Sequence, residues 1–160
     1  MSVAVYPGSF DPITNGHLDI VGRAVVVFER VVIGVLANPR KSPLLPVDER
    51  IAIIEAALAE AGVAERVGVA SFEGLTVDFC RSQGATAIVR GLRAISDFES
   101  EMQLAHNNRV LAPEVDTVFF MTSVANGFVS SSLVKEIAAF GGDVSSMVPA
   151  AALAALRRVP

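Results

Sequence analysis

Short apolar runs alternate with amphipathic segments along the whole chain, and this alternation restricts the fold more than any other feature of the sequence. The first run, Val3-Ala4-Val5-Tyr6, is rich in β-branched residues and stops at Pro7-Gly8. The second run, at 31–36, is apolar throughout, which is typical of a strand buried on both faces. The same criteria predict five strands, at residues 3–6, 31–36, 67–72, 87–92 and 117–121.

Helices are predicted between the strands, where apolar residues recur with the period of an α-helix. One such stripe runs from Leu18 to Phe28. Asp48 is the expected N-cap of the next helix, and residues 96–99 (Ser-Asp-Phe-Glu) match a capping box. The predicted helices span residues 17–28, 48–61, 75–82, 96–109 and 130–140, and a last one follows Pro149.

This order of strands and helices predicts an α/β fold. The crossovers are long enough for neighbouring strands to run parallel, with helices covering the sheet. The 160 residues are about one domain's worth of chain, 52% of them are hydrophobic, and no linker or repeat divides them. We therefore expect a single domain over residues 1–160, with a Rossmann-like, open, five-stranded parallel sheet and helices on both faces.

Charge and composition exclude several classes of function. A net charge of −4 has the wrong sign for a general nucleic-acid binder. No apolar run approaches the roughly 20 residues of a membrane-spanning helix, and the N-terminus has no pattern of a secretory signal. A single cysteine, Cys80, forms no internal disulfide, so we expect a cytoplasmic protein. The high apolar content also indicates that another subunit covers part of the surface.

The loop after the first predicted strand has the features of a phosphate site. In open α/β sheets, ligands bind beyond the carboxyl ends of the strands. Gly8 and Gly16 allow a close approach of the backbone, Ser9 offers a hydroxyl, and His17 lies in the first turn of a helix, where free N–H groups favour anions. Neither a dinucleotide fingerprint nor a Walker loop is present. The alternative is that Thr14 merely caps a helix and His17 is a surface residue.

Three further loops follow strands and carry cations or hydroxyls. Lys41, one of two lysines, follows the second strand, and Arg90 and Arg93 end the fourth. The segment 130–132 offers three serine hydroxyls at another helix start. Each has an alternative, respectively an exposed turn, arginines paired with Asp97, Glu99 or Glu101, and ordinary serine caps. Together the four loops converge at one sheet edge and predict a polyphosphate site.

Two other patterns carry no function. Ser132-Leu133-Val134-Lys135 matches S-x-x-K, but the partner motifs of a penicillin-binding fold are missing from the sequence. His17, His106 and Cys80 lack the spacing of metal ligands, so no metal-ligating residues are predicted. We expect Cys80 to be an inert core thiol and His106 to lie on a helix surface or in the core.

Specific strings in the sequence resemble a known family. Thr14-Asn15-Gly16-His17 after a first strand is similar to the (H/T)xGH signature of the nucleotidyltransferase superfamily. The fuller resemblance, to bacterial phosphopantetheine adenylyltransferases, covers nearly the whole chain in order and at matching spacing. It rests on the segments 6–12 (YPGSFDP), 90–93 (RGLR), 97–99 (DFE), 101–105 (EMQLA) and 128–132 (FVSSS).

The resemblance implies an activity and an assembly. Enzymes of this family transfer AMP from ATP to 4'-phosphopantetheine, which gives dephospho-coenzyme A and pyrophosphate in coenzyme A biosynthesis. It also implies Mg²⁺ as cofactor, a cytoplasmic homohexamer, and coenzyme A as a feedback ligand. The alternatives are another nucleotidyltransferase, for instance one acting on nicotinate mononucleotide or a cytidylyltransferase, and a nucleotide-binding regulatory module without catalysis.

The resemblance further implies site residues, position by position. Catalytic roles fall to His17, Lys41 and Arg93. The phosphopantetheine side is formed by Ser9, Lys41, Thr76 and Arg90. The ATP-binding residues are Ser9, Phe10, His17, Gly91, Leu92, Arg93, Glu101, Asn126, Gly127, Phe128, Val129, Ser130, Ser131 and Ser132.

Overall fold

A parallel β-sheet forms the centre of the computed structural model, which describes residues 1–93 and 97–160. Within these residues, five strands lie in the order β3-β2-β1-β4-β5, and every pair is parallel. The Rossmann-like α/β fold predicted from the sequence is therefore confirmed. The strands are β1 (Val3–Gly8), β2 (Arg30–Leu36), β3 (Val67–Phe72), β4 (Ala87–Leu92) and β5 (Asp116–Met121).

Helices follow the strands as the periodicity predicts, with boundaries mostly one or two residues from those expected. None of the helices in the described part of the chain is long and apolar enough to cross a membrane. Short 3₁₀ turns lie at Ala64–Arg66 and Val124–Asn126. The α-helices are α1 (Asn15–Val27), α2 (Val47–Glu60), α3 (Thr76–Ser82), α4 (Phe98–Leu111), α5 (Ser131–Ala139) and α6 (Ala150–Arg158).

One predicted helix start needs correction, and another lies partly outside the described residues. Asp48 is not the N-cap of α2, because Pro46 holds that position in an extended conformation and Asp48 lies inside the first turn. In that position its carboxylate interacts favourably with the positive end of the helix dipole. The capping box predicted at 96–99 includes Ser96, which lies outside the described residues. Asp97 holds the N-cap of α4 but makes no capping hydrogen bond, since its carboxylate binds Arg93.

Side chains of the strands belong to two apolar clusters, which lie on opposite faces of the sheet. Ala4 and Tyr6 of β1 belong to one cluster, and Val3 and Val5 belong to the other, as the two-residue period of a strand requires. Cys80 is fully buried in the second cluster, and burial raises the pKa of its thiol to about 11, which confirms an inert core thiol.

The strand order also fixes where a ligand binds. β1 has β2 on one side and β4 on the other, and chain connections leave β1 in one direction before returning to add β4 and β5 on the far side. Such a switch point opens a crevice at the carboxyl ends of the two central strands. The loops that follow β1 and β4 therefore face each other across this crevice.

Candidate active site

A cavity of about 270 Å³ lies at the carboxyl ends of β1 and β4, where the strand order switches. We call it the main cavity. Residues from three of the four predicted loops line this cavity, although they are far apart in the sequence. The loop that carries Lys41 does not reach it. It is lined by Tyr6, Pro7, Gly8, Ser9, Phe10, Thr14, Gly16, His17, Ile20, Arg90, Gly91, Arg93, Asp97, Glu101, Thr122, Val129, Ser130 and Ser131.

The first turn of α1 fixes the orientation of His17. Thr14 is the N-cap, and its Oγ1 accepts a hydrogen bond from the backbone N–H of His17. In return, Nδ1 of His17 accepts from the backbone N–H of Thr14 at 3.0 Å, which completes a capping box. Because a backbone N–H can only donate, Nδ1 is the unprotonated nitrogen. The proton of the neutral ring is on Nε2, the nitrogen available to the main cavity.

Aromatic contacts hold the imidazole from the other side. The Phe10 ring meets His17 edge-on with a centroid distance of 4.9 Å, and it meets Tyr6 at 5.3 Å. Phe10 has a positive φ of 47°, a rare conformation for a side chain of this size. Its ring is buried, so packing against its two neighbours compensates the backbone strain. The imidazole is thus fixed by both hydrogen bonds and packing.

His17 is neutral at physiological pH. Burial, together with the smaller effect of the positive charges of Arg90 and Arg93, lowers its pKa to about 4. A neutral imidazole donates one hydrogen bond through Nε2–H without adding a charge to the crevice. The sequence alternative, a surface histidine beside a simple cap, is contradicted by this placement in the cavity wall.

We predict that an NMR pH titration will give His17 a pKa of about 4. The pKa is below the ordinary value, so protonation disfavours the native state, and this penalty develops as the pH falls from about 6.5 towards 4. Loss of the His17 signal in a His17→Gln variant assigns the resonance. A midpoint at or above 6.5 in the folded protein would contradict the buried, neutral donor.

Arg90 at the end of β4 forms a bidentate pair with Glu101 of α4. The Nε and Nη2 atoms donate to the two carboxylate oxygens at 2.7 and 2.6 Å, and Nη1 donates to the Pro7 carbonyl at 3.0 Å. The side chains are only 26% and 14% exposed. All three contacts fix the guanidinium plane against the loop after β1. The sequence alternative of an Arg90–Glu101 pair is therefore correct, and it coexists with a place in the cavity wall.

Arg93, which is more exposed than Arg90, makes a second pair with Asp97 in the wall of the main cavity. Nε donates to Oδ2 at 2.8 Å and Nη2 to Oδ1 at 3.0 Å. The guanidinium holds the pKa of the Asp97 carboxyl below its ordinary value. Two arginines thus line the cavity already oriented by carboxylates, and an incoming polyanion meets fixed cations rather than mobile ones.

The start of α5 supplies hydroxyls and free backbone N–H groups. Ser130 is the N-cap, and its hydroxyl accepts from the backbone N–H of Leu133, as the sequence predicts. The Ser131 hydroxyl donates to the Pro12 carbonyl at 2.8 Å and ties the helix to the loop after β1. Both serines line the main cavity, so the positive end of this helix faces the same space as the arginines.

A second, smaller pocket adjoins the main cavity and shares Pro7, Gly8 and Arg90 with it. We call it the adjoining pocket. Its other walls are mainly apolar, and Thr76 from the start of α3 is one of them. The remaining lining residues are Leu36, Phe72, Ile88, Leu104 and Asn108. An elongated ligand can therefore lie across both spaces, with Arg90 at their junction.

Several residues implied by the family resemblance lie outside these two spaces. Lys41 is exposed on the loop between β2 and α2, where its backbone N–H donates to the Asn38 carbonyl. Phe128 is 65% exposed, and its neighbour Val129 lines the main cavity. The others outside the linings are Leu92, Asn126, Gly127 and Ser132.

Sequence reasoning missed residues that act through distant contacts. Tyr6 and Thr122 line the main cavity, although strand patterns assign them only to strand ends. Asp11 and Arg50 are buried and charged, and they bind segments more than thirty residues away. Asp11 lies in the loop that the sequence predicts to bind phosphate, and this position was the only sequence signal of a role for it. Arg50 falls in a helical pattern with no signal of burial.

The chain is similar to known proteins both in its fold and over nearly its whole sequence. A cytidylyltransferase-like family model matches residues 5–137, and the fold and its switch-point crevice are those of this nucleotidyltransferase class. The relative from Heliobacterium modesticaldum, a phosphopantetheine adenylyltransferase, is 57% identical over 96% of this chain and 90% of its own. Phosphopantetheine adenylyltransferases from Alkaliphilus metalliredigens and Stenotrophomonas maltophilia are 50% and 52% identical, over 99% and 98% of this chain and 99% and 91% of theirs. The chain belongs to the phosphopantetheine adenylyltransferase family, as its motifs indicated.

Proposed function

We propose that this chain transfers AMP from ATP to 4'-phosphopantetheine and releases pyrophosphate and dephospho-coenzyme A. One observation supports the proposal most strongly. His17, Arg90, Arg93 and the start of α5 surround a single cavity, and an apolar pocket continues from it past Arg90. A nucleotide triphosphate suits the first space and a pantetheine arm suits the second, with the reacting phosphates between them.

The reaction needs no nucleophile from the protein. An oxygen of the phosphopantetheine phosphate attacks the α-phosphorus of ATP and forms a new P–O bond. The bond from the α-phosphorus to the bridging oxygen breaks, and pyrophosphate leaves with the electron pair. Catalysis of such a displacement depends on in-line positioning and on stabilising charge around the transferring group.

His17 is proposed to donate its Nε2–H to a non-bridging oxygen of the α-phosphate. That oxygen gains negative charge as the fifth P–O bond forms, and a fixed donor aimed at it stabilises the transition state. A neutral ring suits this role, because its Nδ1 must stay unprotonated to accept from Thr14. The aromatic contacts with Phe10 remove the need to reorganise during reaction.

The cations are proposed to divide between the two substrates. Arg93 and the start of α5 face the triphosphate and the leaving pyrophosphate, since they line the main cavity and not the adjoining pocket. Arg90 lies at the junction and orients the acceptor phosphate. Lys41 extends from its exposed loop and adds a cation to the acceptor side. Thr76 in the adjoining pocket contacts the pantetheine arm.

The ATP side includes residues around the main cavity entrance. Gly91 lines the main cavity on this side, and the close packing of β4 against α1 requires glycine there, because a Cβ atom would come within 2.9 Å of the Ile20 side chain. Glu101 holds Arg90 in place through their hydrogen bonds. It accepts a hydrogen bond from the nucleotide only if the nucleotide displaces Arg90 from one of these bonds. The segment 126–132 is proposed to contact the base, with the exposed Phe128 ring as its aromatic contact.

The Mg²⁺ ion that the family implies finds no preformed protein site in the described residues. Among residues 1–93 and 97–160, no three His, Cys, Asp or Glu side chains are grouped so as to hold a metal ion. The two carboxylates that line the main cavity, Asp97 and Glu101, are each bound to an arginine. These residues do not fit a resident ion, and we propose that Mg²⁺ enters on the phosphate oxygens of ATP.

A homohexamer is proposed because α4 and β5 leave apolar side chains exposed. α4 has 14 residues and no buried side chain, and Phe98 and Val110 on it are 54% and 80% exposed. Met121 at the end of the edge strand β5 and the neighbouring Val124 are 61% and 92% exposed. Apolar surface of this extent is typical of an interface between subunits.

We predict that sedimentation equilibrium will give six times the 16.8 kDa chain mass. A charge introduced on this surface, Val110→Asp, should shift the distribution towards smaller species, because the charge would lie in an apolar interface. The change Val26→Asp, at an equally exposed site on α1, is the matched control. A monomer at micromolar concentration would contradict the proposed assembly and leave the reaction unaffected.

Coenzyme A is proposed as a feedback ligand of the same two spaces. It contains both the pantetheine arm and an adenosine nucleotide, so it can span the main cavity and the adjoining pocket as the product does. We place the enzyme in the cytoplasm, where ATP is consumed and where a lone thiol such as Cys80 remains reduced.

Pyrophosphate release with different acceptors tests the proposed reaction. Purified protein with ATP should release pyrophosphate when phosphopantetheine is added and not when nicotinate mononucleotide is added. The adjoining apolar pocket is the reason, since the mononucleotide has no arm to fill it. Equal release with both acceptors would favour another nucleotidyltransferase. ATP binding without release under any condition would favour a regulatory module.

A further inference from the structure

Asp11 makes an unusual set of contacts just behind the main cavity. Its side chain is 6% exposed, and the carboxylate accepts three hydrogen bonds. The backbone N–H of Leu45 donates to Oδ1 at 2.9 Å, and the backbone N–H of Leu44 donates to Oδ2 at 2.9 Å. The ammonium group of Lys135, from α5, is 3.1 Å from Oδ2. One buried carboxylate therefore joins three separate segments of the chain.

Arg50 of α2 binds backbone carbonyl groups in the same region. Its guanidinium donates to the Leu45 carbonyl at 3.0 Å, the Ser9 carbonyl at 2.7 Å and the Leu36 carbonyl at 3.2 Å. Arg50 is only 2% exposed, so these bonds are shielded from water. The peptide groups of Leu45 are thus fixed twice, by Asp11 at the N–H and by Arg50 at the carbonyl.

These contacts define both ends of the loop that carries Lys41. We call residues 37–46 the Lys41 loop. Arg50 fixes Leu36 immediately before it, and Asp11 fixes Leu44 and Leu45 near its end. The residues between these anchors, including Lys41, are largely exposed. The reach of the Lys41 side chain towards the crevice therefore depends on where the two anchors hold the loop.

The same contacts tie the Lys41 loop to the cavity wall. Asp11 follows directly on Ser9 and Phe10, which line the main cavity. Lys135 belongs to α5, whose first residues Ser130 and Ser131 line it as well. A shift of the Asp11 carboxylate would move the Lys41 loop relative to the β1–α1 loop and to the start of α5.

We propose that Asp11 is a positioning residue that holds the Lys41 loop in register with Ser9 and α5, so that Lys41 reaches the acceptor phosphate. This inference rests on the proposed function. Asp11 itself touches no substrate, and Lys135 supports it by neutralising the buried carboxylate. The role follows from the contacts alone, and a displacement of about 1 Å at a reacting group can cost roughly 100-fold in rate.

The test uses Asp11→Asn in the full-length protein. An amide keeps one oxygen for the Leu45 N–H but presents an NH₂ group to the Leu44 N–H and to the Lys135 ammonium. We expect kcat/KM for phosphopantetheine to fall about 10- to 100-fold, while KM for ATP changes less than about twofold. A uniform loss for both substrates would overturn the proposal, because it would indicate general damage to the fold.

A double-mutant cycle with Lys41→Ala separates positioning from stability. If Asp11 acts through Lys41, Asp11→Asn should change kcat/KM less than about twofold in the Lys41→Ala background. An undiminished effect in that background would overturn the proposal. If wild-type protein shows no turnover with phosphopantetheine, the proposed function itself has failed. Wild-type turnover with an unaffected Asp11→Asn variant contradicts only the positioning role.

Lys135→Met provides a second route if Asp11→Asn does not fold. It removes one of the three donors and leaves both backbone anchors, so the loop should loosen without being released. We expect a fall of about 3- to 10-fold in kcat/KM for phosphopantetheine, again absent in the Lys41→Ala background. No change in Lys135→Met, or the same change with Lys41 removed, would overturn the proposal.

Discussion

We expect His17→Ala to lower kcat about 100-fold while the protein stays folded. The variant loses the Nε2–H donor that faces the α-phosphate, and loss of one fixed donor to a developing oxyanion typically costs 100-fold or more. It also loses the acceptor for the Thr14 backbone N–H, which costs on the order of 1 kcal/mol of stability. Steady-state kinetics and thermal unfolding, measured on the same preparation, separate the two effects.

Two other variants separate the catalytic role of His17 from its structural role. His17→Gln can return a side-chain oxygen to the Thr14 N–H, as glutamine does in a capping box, so it should recover stability but not kcat. Glu60→Ala removes an exposed side chain at the end of α2 and should leave both quantities unchanged. Normal turnover of His17→Ala would contradict the catalytic role, and so would full recovery of kcat by His17→Gln.

Arg90→Met has the next largest expected effect, a fall in kcat/KM of roughly 100- to 1,000-fold. The substitution removes a bidentate cation at the junction of the two spaces. It also leaves the Glu101 carboxylate, which is 14% exposed, without its partner and facing a polyanionic substrate. Loss of the attraction and gain of the repulsion act in the same direction.

The repulsive part is measurable by removing the second charge. The double variant Arg90→Met with Glu101→Gln should recover about 10-fold of the loss, chiefly in KM for ATP, because the unpaired carboxylate is gone. The matched control is Arg158→Met, since Arg158 pairs with Glu49 on the exposed surface of α6 and α2. A double variant no faster than Arg90→Met, or an equal loss in Arg158→Met, would contradict this electrostatic account.

The sheet could be predicted from the sequence because its signals are local. The runs at 67–72 and 87–92 match β3 and β4 residue for residue, since apolar β-branched stretches bounded by turn residues leave little freedom. The N-cap at Thr14 also follows from local chemistry. Asp48 was misassigned because an acidic residue favours the first turn of a helix as well as its cap, and Pro46 already occupied the cap.

The candidate site could be predicted only in part. The carboxyl ends of parallel strands meet at one edge, so the gathering of His17, Arg90 and Ser130 followed from the fold class. The pairing of each arginine was undecided, because sequence offers three acidic partners within one helix. The burial of Asp11 and Arg50 depends on contacts with Leu45 and Ser9 that no local pattern encodes. Side-chain reach, as for Lys41, likewise depends on those distant anchors.

Oxygen-isotope transfer tests the central claim most directly, namely that the acceptor phosphate attacks the α-phosphorus of ATP. Phosphopantetheine carrying ¹⁸O in its non-bridging phosphate oxygens is incubated with unlabelled ATP, and the products are weighed by mass spectrometry. We predict that dephospho-coenzyme A retains all of the label and that pyrophosphate, formed in equal amount, contains none. Label in pyrophosphate, or ADP in place of pyrophosphate, would contradict the account.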